Sequence, residues 1–372
     1  MRSYFAAFEA ALREIFTTRA LVSTMVVAVL FYAFYYPAPY RHQTVVDLPV
    51  VVVDEEDSAA TRALVRALDS APEVAVVSVT ASEAAAEREV RERRADGIIR
   101  FGNGLGRRLL TGSGGGGVSV TVNGTYLLRA RGIGLALERS VKGLVEERLA
   151  PLEDRLPRTR PVEIEIRPLF NTTTGYADYI FPAVSIVILQ QTLLFGAAML
   201  SGGRRQRHAA VPAPAAYFGT LSALTLIGLF ACSFYFGFVF WLEDMPRGGN
   251  LGGLLVAAPI FSLAVAALGL LIGSYLDQAD RAMEVLVPTS VVLFFLTGAA
   301  FPTEAMPHWV AAIAMLSPAI HGVPMFVGLN QMAASLPEVI EPLIRLALLA
   351  MLYIALTLVR IALNRRRLQS AA

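Results

Sequence analysis

Lysine occurs once in these 372 residues, cysteine once and histidine four times, and each scarcity closes off a chemistry. A Walker A phosphate loop needs Gly-Lys-Ser/Thr, because its lysine reaches the β- and γ-phosphates. Lys142 lies between Val141 and Gly143, so there is no such loop, and any ATP-driven work falls to another subunit. Cys232, inside an apolar run, has no partner for an intrachain disulfide. His42, His208, His308 and His321 show neither HExxH nor a paired spacing, which argues against a metal centre. GxSxG is absent, and no two carboxylates converge within an apolar run. Asp178 stands alone at the edge of one and reads as a solvated or interface-facing group rather than a proton relay. A net charge of +2 without a basic stripe argues against nucleic acid. An enzyme is not expected.

Charge itself is scarce. Only 17% of residues are charged, against about 25% in an average soluble protein, while 55% are hydrophobic. Mean hydropathy is +0.55. The deficit is uneven: residues 41–167 hold 38 charged side chains in 127 positions, and residues 176–372 hold 19 in 197. That contrast excludes one ordinary soluble domain and also a purely membranous chain. It implies an α-helical membrane bundle carrying an inserted, solvated domain.

Six apolar runs are long enough to cross a hydrocarbon core: residues 20–36, 176–200, 216–242, 251–276, 285–300 and 343–363. The fifth is short and contains Pro288; in the sixth, Arg345 and Arg360 sit near the two ends, where long side chains snorkel. The first ends in Phe34-Tyr35-Tyr36-Pro37 rather than a small-residue cleavage site, so it reads as an uncleaved anchor. With the N-terminus inside, Arg2, Arg13, Arg19, Arg204, Arg205, Arg207, Arg281 and Arg365 to Arg367 all fall on the inner side, against Arg247 outside. The positive-inside rule then predicts both termini cytoplasmic, with residues 37–175 extracytoplasmic and 364–372 a cytoplasmic tail. Residues 1–19 place Phe5, Phe8, Leu12, Ile15 and Phe16 on one helical face opposite Glu9 and Arg13, as in a helix lying along the inner leaflet. Either a simple anchor or an elbow transmitting force from a cytoplasmic partner fits that pattern.

Between the first two spans, β-like and helix-like stretches alternate, which predicts a compact α/β domain. Strands are expected at 48–53, 74–79, 97–101, 118–122 and 162–167. Helices are expected up to 68 (capped by Asp57 or Ser58), at 82–94, at 105–110 and at 126–149. A glycine-rich stretch fills 112–117, and a proline-bounded linker 151–161. Nineteen basic residues balance 19 acidic ones, which points to a solvated surface without a strongly charged ligand. Gly102-Asn103-Gly104-Leu105-Gly106 lacks the GxGxxG spacing and reads as a glycine-rich turn.

After the fifth run come Leu296 to Trp309, dense in proline, and two apolar pieces, 309–316 and 319–329, separated by Ser317-Pro318. Neither piece is long enough to cross, so residues 301–330 are expected to re-enter the bundle from the outer side, where non-helical backbone is tolerated only if buried in protein or wet. Gln190 and Gln191 fall inside the second span, suited to an interhelical hydrogen bond or to substrate contact. Gly269 and Gly273 form a small-xxx-small pair for close helix packing in the fourth.

The segment containing Phe301, Pro302, Glu304, Met306, Pro307 and Trp309, followed by Pro318, resembles the "SG…FP…MP…W…P" stretch of ABC-2 permeases, membrane subunits of one class of ATP-binding-cassette exporter. Phe170-Asn171 through Tyr179-Ile180-Phe181-Pro182, then Leu189 to Leu194, is similar to the family's approach to span two. Ala95-Asp96-Gly97-Ile98-Ile99 with Leu109-Leu110 is similar to its outward domain. The one-span, large-domain, five-span layout resembles the drug- and toxin-export branch.

The resemblance implies an exporter of amphipathic molecules in a bacterial inner membrane. It implies a second permease and a cytoplasmic ABC ATPase that binds ATP and Mg, with a periplasmic adaptor and an outer-membrane channel often added. One departure matters. Where the family carries a Glu-Arg-Glu-like coupling segment after span two, this chain reads Ser201-Gly-Gly-Arg204-Arg205-Gln206-Arg207. These arginines either pair with acidic residues of an ATPase or are ordinary positive-inside residues. A receptor or an envelope-assembly scaffold using the α/β domain is the alternative function, although a receptor expects a cytoplasmic output domain larger than the short inner loops here.

Overall fold

The computed structural model describes residues 1–40, 46–105, 117–122, 127–149, 170, 175–207, 211–299 and 303–371, with backbone alone at 127–131, 144–149, 304 and 367–371. The chain divides into two compact units, Met1–Arg41 with Pro168–Ala372, and His42–Arg167. It opens with α1 (Arg2–Thr17) and then an apolar helix made of α2 (Arg19–Val22), a π-turn (Ser23–Val27) and α3 (Ala28–Tyr35).

In the second unit, β1 (Leu48–Asp54), α4 (Ala59–Asp69), β2 (Val74–Thr80), α5 (Glu83–Arg91), β3 (Gly97–Phe101), β4 (Val118–Val122) and α6 (Leu127–Leu149) alternate. The sheet order is β2-β1-β3-β4, with β1 parallel to both neighbours and β4 antiparallel to β3. The run of valines in β1 reflects burial on both faces. Val50 and Val52 pack with Leu64, Leu68 and Ile133, whereas Val51 and Val53 pack with Ala86 and Ile98. Ser58, not Asp57, caps α4, in a reciprocal box with Thr61; Asp57 instead takes a positive φ of 46° and pairs with Arg62. The helix expected over 82–94 stops at Arg91 because Arg93, at φ 60°, turns the chain. The linker at 151–161, the strand at 162–167 and most of the 105–110 helix and 112–117 glycine stretch lie outside the described residues.

The first unit is a helical membrane bundle. Its remaining helices are α7 (Tyr176–Gln206), α8 (Pro214–Ser233) extended by a π-turn (Phe234–Val239) and α9 (Phe240–Leu242), then α10 (Leu251–Gly273), α11 (Asp280–Leu296), α12 (His308–Ala314), α13 (Pro318–Gln331) and α14 (Ile340–Ala371). Five helices among the described residues are long and apolar enough to cross a membrane, or six if the bent pair α12–α13 counts as one. The expected fifth span, over 285–300, is the 17-residue α11; it begins earlier, at Asp280, and ends at Leu296, before the turn at Gly298 with φ 84°. Helices also overrun their apolar cores: α7 continues through the arginines to Gln206, and α14 runs to Ala371, so the expected tail is helical where described.

Helix α7 forms the centre. Its apolar stretch is 94% buried, against 28–56% for the other four. Small residues let its neighbours approach. Met25 of the first π-turn lies against Gly196, and Tyr235 of the second donates to Val29 O at 3.0 Å. Helix α1 does not lie on the bundle by its whole apolar face. Ala11 and Ile15 are fully buried, Phe8 and Leu12 are half-buried, and Phe5 and Phe16 are exposed. Tyr4 O and Phe8 N press on Gly219 of α8, and the Tyr4 hydroxyl donates to Ser222 Oγ at 2.9 Å.

Candidate functional site

A helix that begins inside an apolar bundle must satisfy its first N–H groups without water. α13 does so through its neighbours. Its axis bends by 80° from α12. Gln190 lies 14 residues into α7, and α13 itself spans 14 residues. At 1.5 Å per residue each distance is about 21 Å, so the break lies about halfway along the apolar part of α7. Pro318 at the first helical position has no N–H to satisfy. Ala319 N donates to Gln190 Oε1 at 2.6 Å, and Ile320 N turns back onto Ser317 O at 3.2 Å. Ser317 Oγ and the Gln190 amide are 3.1–3.2 Å apart, each positioned to donate to the other. Gln190 is fully buried, so its amide acts as an internal helix cap.

The carbonyls at the bend are met as completely. Ala314 O accepts from Ser317 N at 2.8 Å. Met315 O lies 2.9 Å from His321 Nε2, which assigns the proton to that nitrogen. Leu316 O accepts from the Tyr353 hydroxyl of α14. Four elements therefore meet at three residues of non-helical chain. Gly322 lets α13 press against Phe261 and Ile186, where an added Cβ would lie 2.8 and 3.2 Å from them. Phe326 completes the contact edge-on to Phe261, with ring centroids 5.3 Å apart. At the far end of α13, Asn330 O accepts from Gly248 N at 2.6 Å, and Asn250 Nδ2 reaches Ala334 O at 2.7 Å.

Gln191 behaves differently from its neighbour. One residue further round α7, it is 8% exposed, and neither amide atom has a hydrogen-bond partner among the described residues. Gln331 shares that condition. Gly269 and Gly273 lie against α7: a Cβ on Gly269 would be 2.6 Å from Ala197 Cβ, and one on Gly273 2.6 Å from Ala198 O. Pro318 is buried, Met306 half-buried, and Pro307 and Trp309 exposed. Phe301, Pro302 and the Glu304 side chain lie outside the described residues, as do His42 and His208. Asp178, read as solvated or interface-facing, is 6% exposed in the first turn of α7, where the helix dipole favours a carboxylate.

The three arginines after the apolar part of α7 are engaged within the chain. Arg204 bonds Glu14 of α1 at 2.8 Å and Thr220 of α8 at 3.0 Å, and Arg207 joins the same glutamate. Arg205 turns the other way, to Ser274 O at 2.5 Å and Asp277 at 3.3 Å. Glu14, His321 and Tyr353 carry no local motif that marks these roles; each acts on a group far away in sequence.

The profile of the family described as ABC-2 family transporter protein matches residues 19–359, which include every helix of the bundle from the first apolar run into α14. The chain belongs to the ABC-2 family. No curated protein and no solved structure gives a match. Membership makes transport across a membrane the function and, for ABC-2 permeases in general, implies a partner ATPase. Such membrane subunits are typically non-catalytic, and among the described residues no group of three or more His, Cys, Asp or Glu side chains is placed to hold a metal ion.

Proposed function

We propose that this chain is the permease subunit of an ABC exporter that moves an amphipathic small molecule out of the cytoplasm or inner membrane. A separate cytoplasmic ATPase supplies the energy, and a second permease completes the pathway. The arginine-rich end, with Arg204, Arg205, Arg207, Arg281 and Arg360, is cytoplasmic; the α/β unit is extracytoplasmic. The family match over residues 19–359 carries this reading. The broken α12–α13 pair supports it, because a helix start fixed by neutral amide, hydroxyl and imidazole groups can be displaced without moving a full charge through the bilayer interior. Arg204 and Arg207 are already held by Glu14, so motor movement at the end of α7 passes directly into α1. That supports the elbow over the simple anchor.

The test is affinity purification of the full chain from native membranes, followed by ATPase assays in proteoliposomes. An ABC ATPase should co-purify, and its hydrolysis rate should depend on this chain. Absence of any nucleotide-binding subunit, or hydrolysis indifferent to the chain, would refute the exporter.

A further inference from the structure

At the end of α10, three guanidiniums gather around one ion-paired carboxylate, Asp277, while Asp280 and Glu284 lie beside Arg281 in sequence. Ser274 O accepts from Arg205 Nη1 at 2.5 Å, from Arg360 Nε at 3.0 Å and from Arg360 Nη2 at 2.8 Å. Two guanidiniums from different helices thus converge on one carbonyl oxygen. A third, Arg281, reaches Asp277 at 3.4 Å, and Arg205 shares that carboxylate at 3.3 Å. Arg360 has no carboxylate within ion-pair distance among the described residues; it lies 3.6 Å from the centroid of the Tyr275 ring instead. Three guanidiniums therefore face one carboxylate, a helix C-terminus and an aromatic face. The dipole and the ring carry only partial negative charge.

The setting is that of a bilayer interface. Tyr275 is 61% exposed, and an exposed tyrosine at the end of an apolar helix belongs at headgroup level. Beside Arg360 on α14, Leu356, Val359 and Leu363 are all exposed, a surface for acyl chains that adjoins the cationic one. Guanidiniums offer five N–H donors in a planar fork suited to phosphate oxygens, and only some are used here.

We propose that Arg205, Arg281 and Arg360 form a seat for the phosphate of an anionic phospholipid where the ends of α7 and α10 meet the start of α11 and Arg360 of α14. The lipid supplies the missing negative charge, and its chains lie along the exposed face of α14. It thereby adds a link at the end of a helix contact already made through Gly269 and Gly273.

Native mass spectrometry of the purified full chain, delipidated and titrated with phosphatidylglycerol or phosphatidylcholine, tests it. The wild type should retain phosphatidylglycerol preferentially. Arg205→Gln and Arg360→Gln should each lower the preference about fivefold, the worth of one guanidinium near an anionic surface. Asp277→Asn should raise it, and because that carboxylate is 63% exposed the variant carries the test if the arginine variants do not fold. Equal retention of the two lipids, a preference unchanged in both arginine variants, or one unchanged or weakened in Asp277→Asn would overturn the proposal. Displacement of phosphatidylglycerol by inorganic phosphate at equal concentration would overturn the assignment to a lipid, leaving a site for a free anion.

Discussion

Adjacent glutamines on α7 should respond in opposite directions to the same substitution. In Gln190→Leu, Ala319 N loses its acceptor at 2.6 Å, and Ser317 loses its side-chain partner. A buried donor left without a partner costs about 1–3 kcal/mol. Interhelical hydrogen bonds inside membrane proteins average about 0.6 kcal/mol and reach about 1.7. The serine hydroxyl can rotate to a carbonyl, so the stranded N–H dominates, and the expected loss is about 2 kcal/mol. Gln190→Asn should be nearly as damaging, because it withdraws the oxygen by one C–C bond, about 1.5 Å. Gln191→Leu removes an amide whose donor and acceptor are both unmet among the described residues, and should be neutral or stabilising by about 1 kcal/mol. Reversible unfolding of the full chain in mixed micelles measures all three. Equal shifts for the two leucine variants, or wild-type behaviour of Gln190→Asn, would refute the internal-cap reasoning.

Other outcomes follow from the same geometry. Gly219→Ala should destabilise more than Gly196→Ala, because the first meets the backbone of Tyr4 and Phe8 and the second the flexible side chain of Met25; comparing their unfolding midpoints decides it. Gly273→Val should separate α10 from α7 and cost at least about 1–3 kcal/mol through overpacking, since even one added carbon lies 2.6 Å from Ala198 O. Glu14→Arg should weaken ATPase stimulation, and Glu14→Arg with Arg204→Glu should recover part of it; a double variant no better than either single one would remove the ionic link from the coupling path. Tyr353→Phe strands Leu316 O and should cost about 1–2 kcal/mol without altering the amount of complex formed. With Cys232 replaced by alanine, a cysteine at Ala84 should be labelled by an impermeant reagent only from outside and one at Gln278 only from inside. Labelling of both from one side would reverse the topology.

The apolar runs, the charge contrast between the two units and the alternation in the α/β unit were legible in the sequence because each is a local property of contiguous residues. Valines repeated along β1 announce burial on both faces, and Ser317-Pro318 announces a helix start whatever surrounds it. The shortness of the two apolar pieces on either side of Ser317-Pro318 likewise indicates that they do not form one straight helix, and the two are bent by 80°. Helix ends were less legible. α7 extends past its apolar core because arginine propagates a helix well and finds partners there in Glu14, Asp277 and Ser274 O; α14 continues through arginines of the same propensity.

Partners were decided by tertiary structure alone. Gln190 and Gln191 are the same residue type one position apart, and 100° of helical rotation gives one of them Ser317, 127 positions away, and leaves the other without a partner. Composition tells nothing of what the arginines after α7 touch; within the chain, Arg204 and Arg207 reach Glu14, roughly 190 residues back. A sequence fixes which groups must be satisfied, since every buried donor and charge needs a counterpart. Only packing fixes which counterpart is near enough, because that distance depends on how helices remote in sequence come to lie side by side.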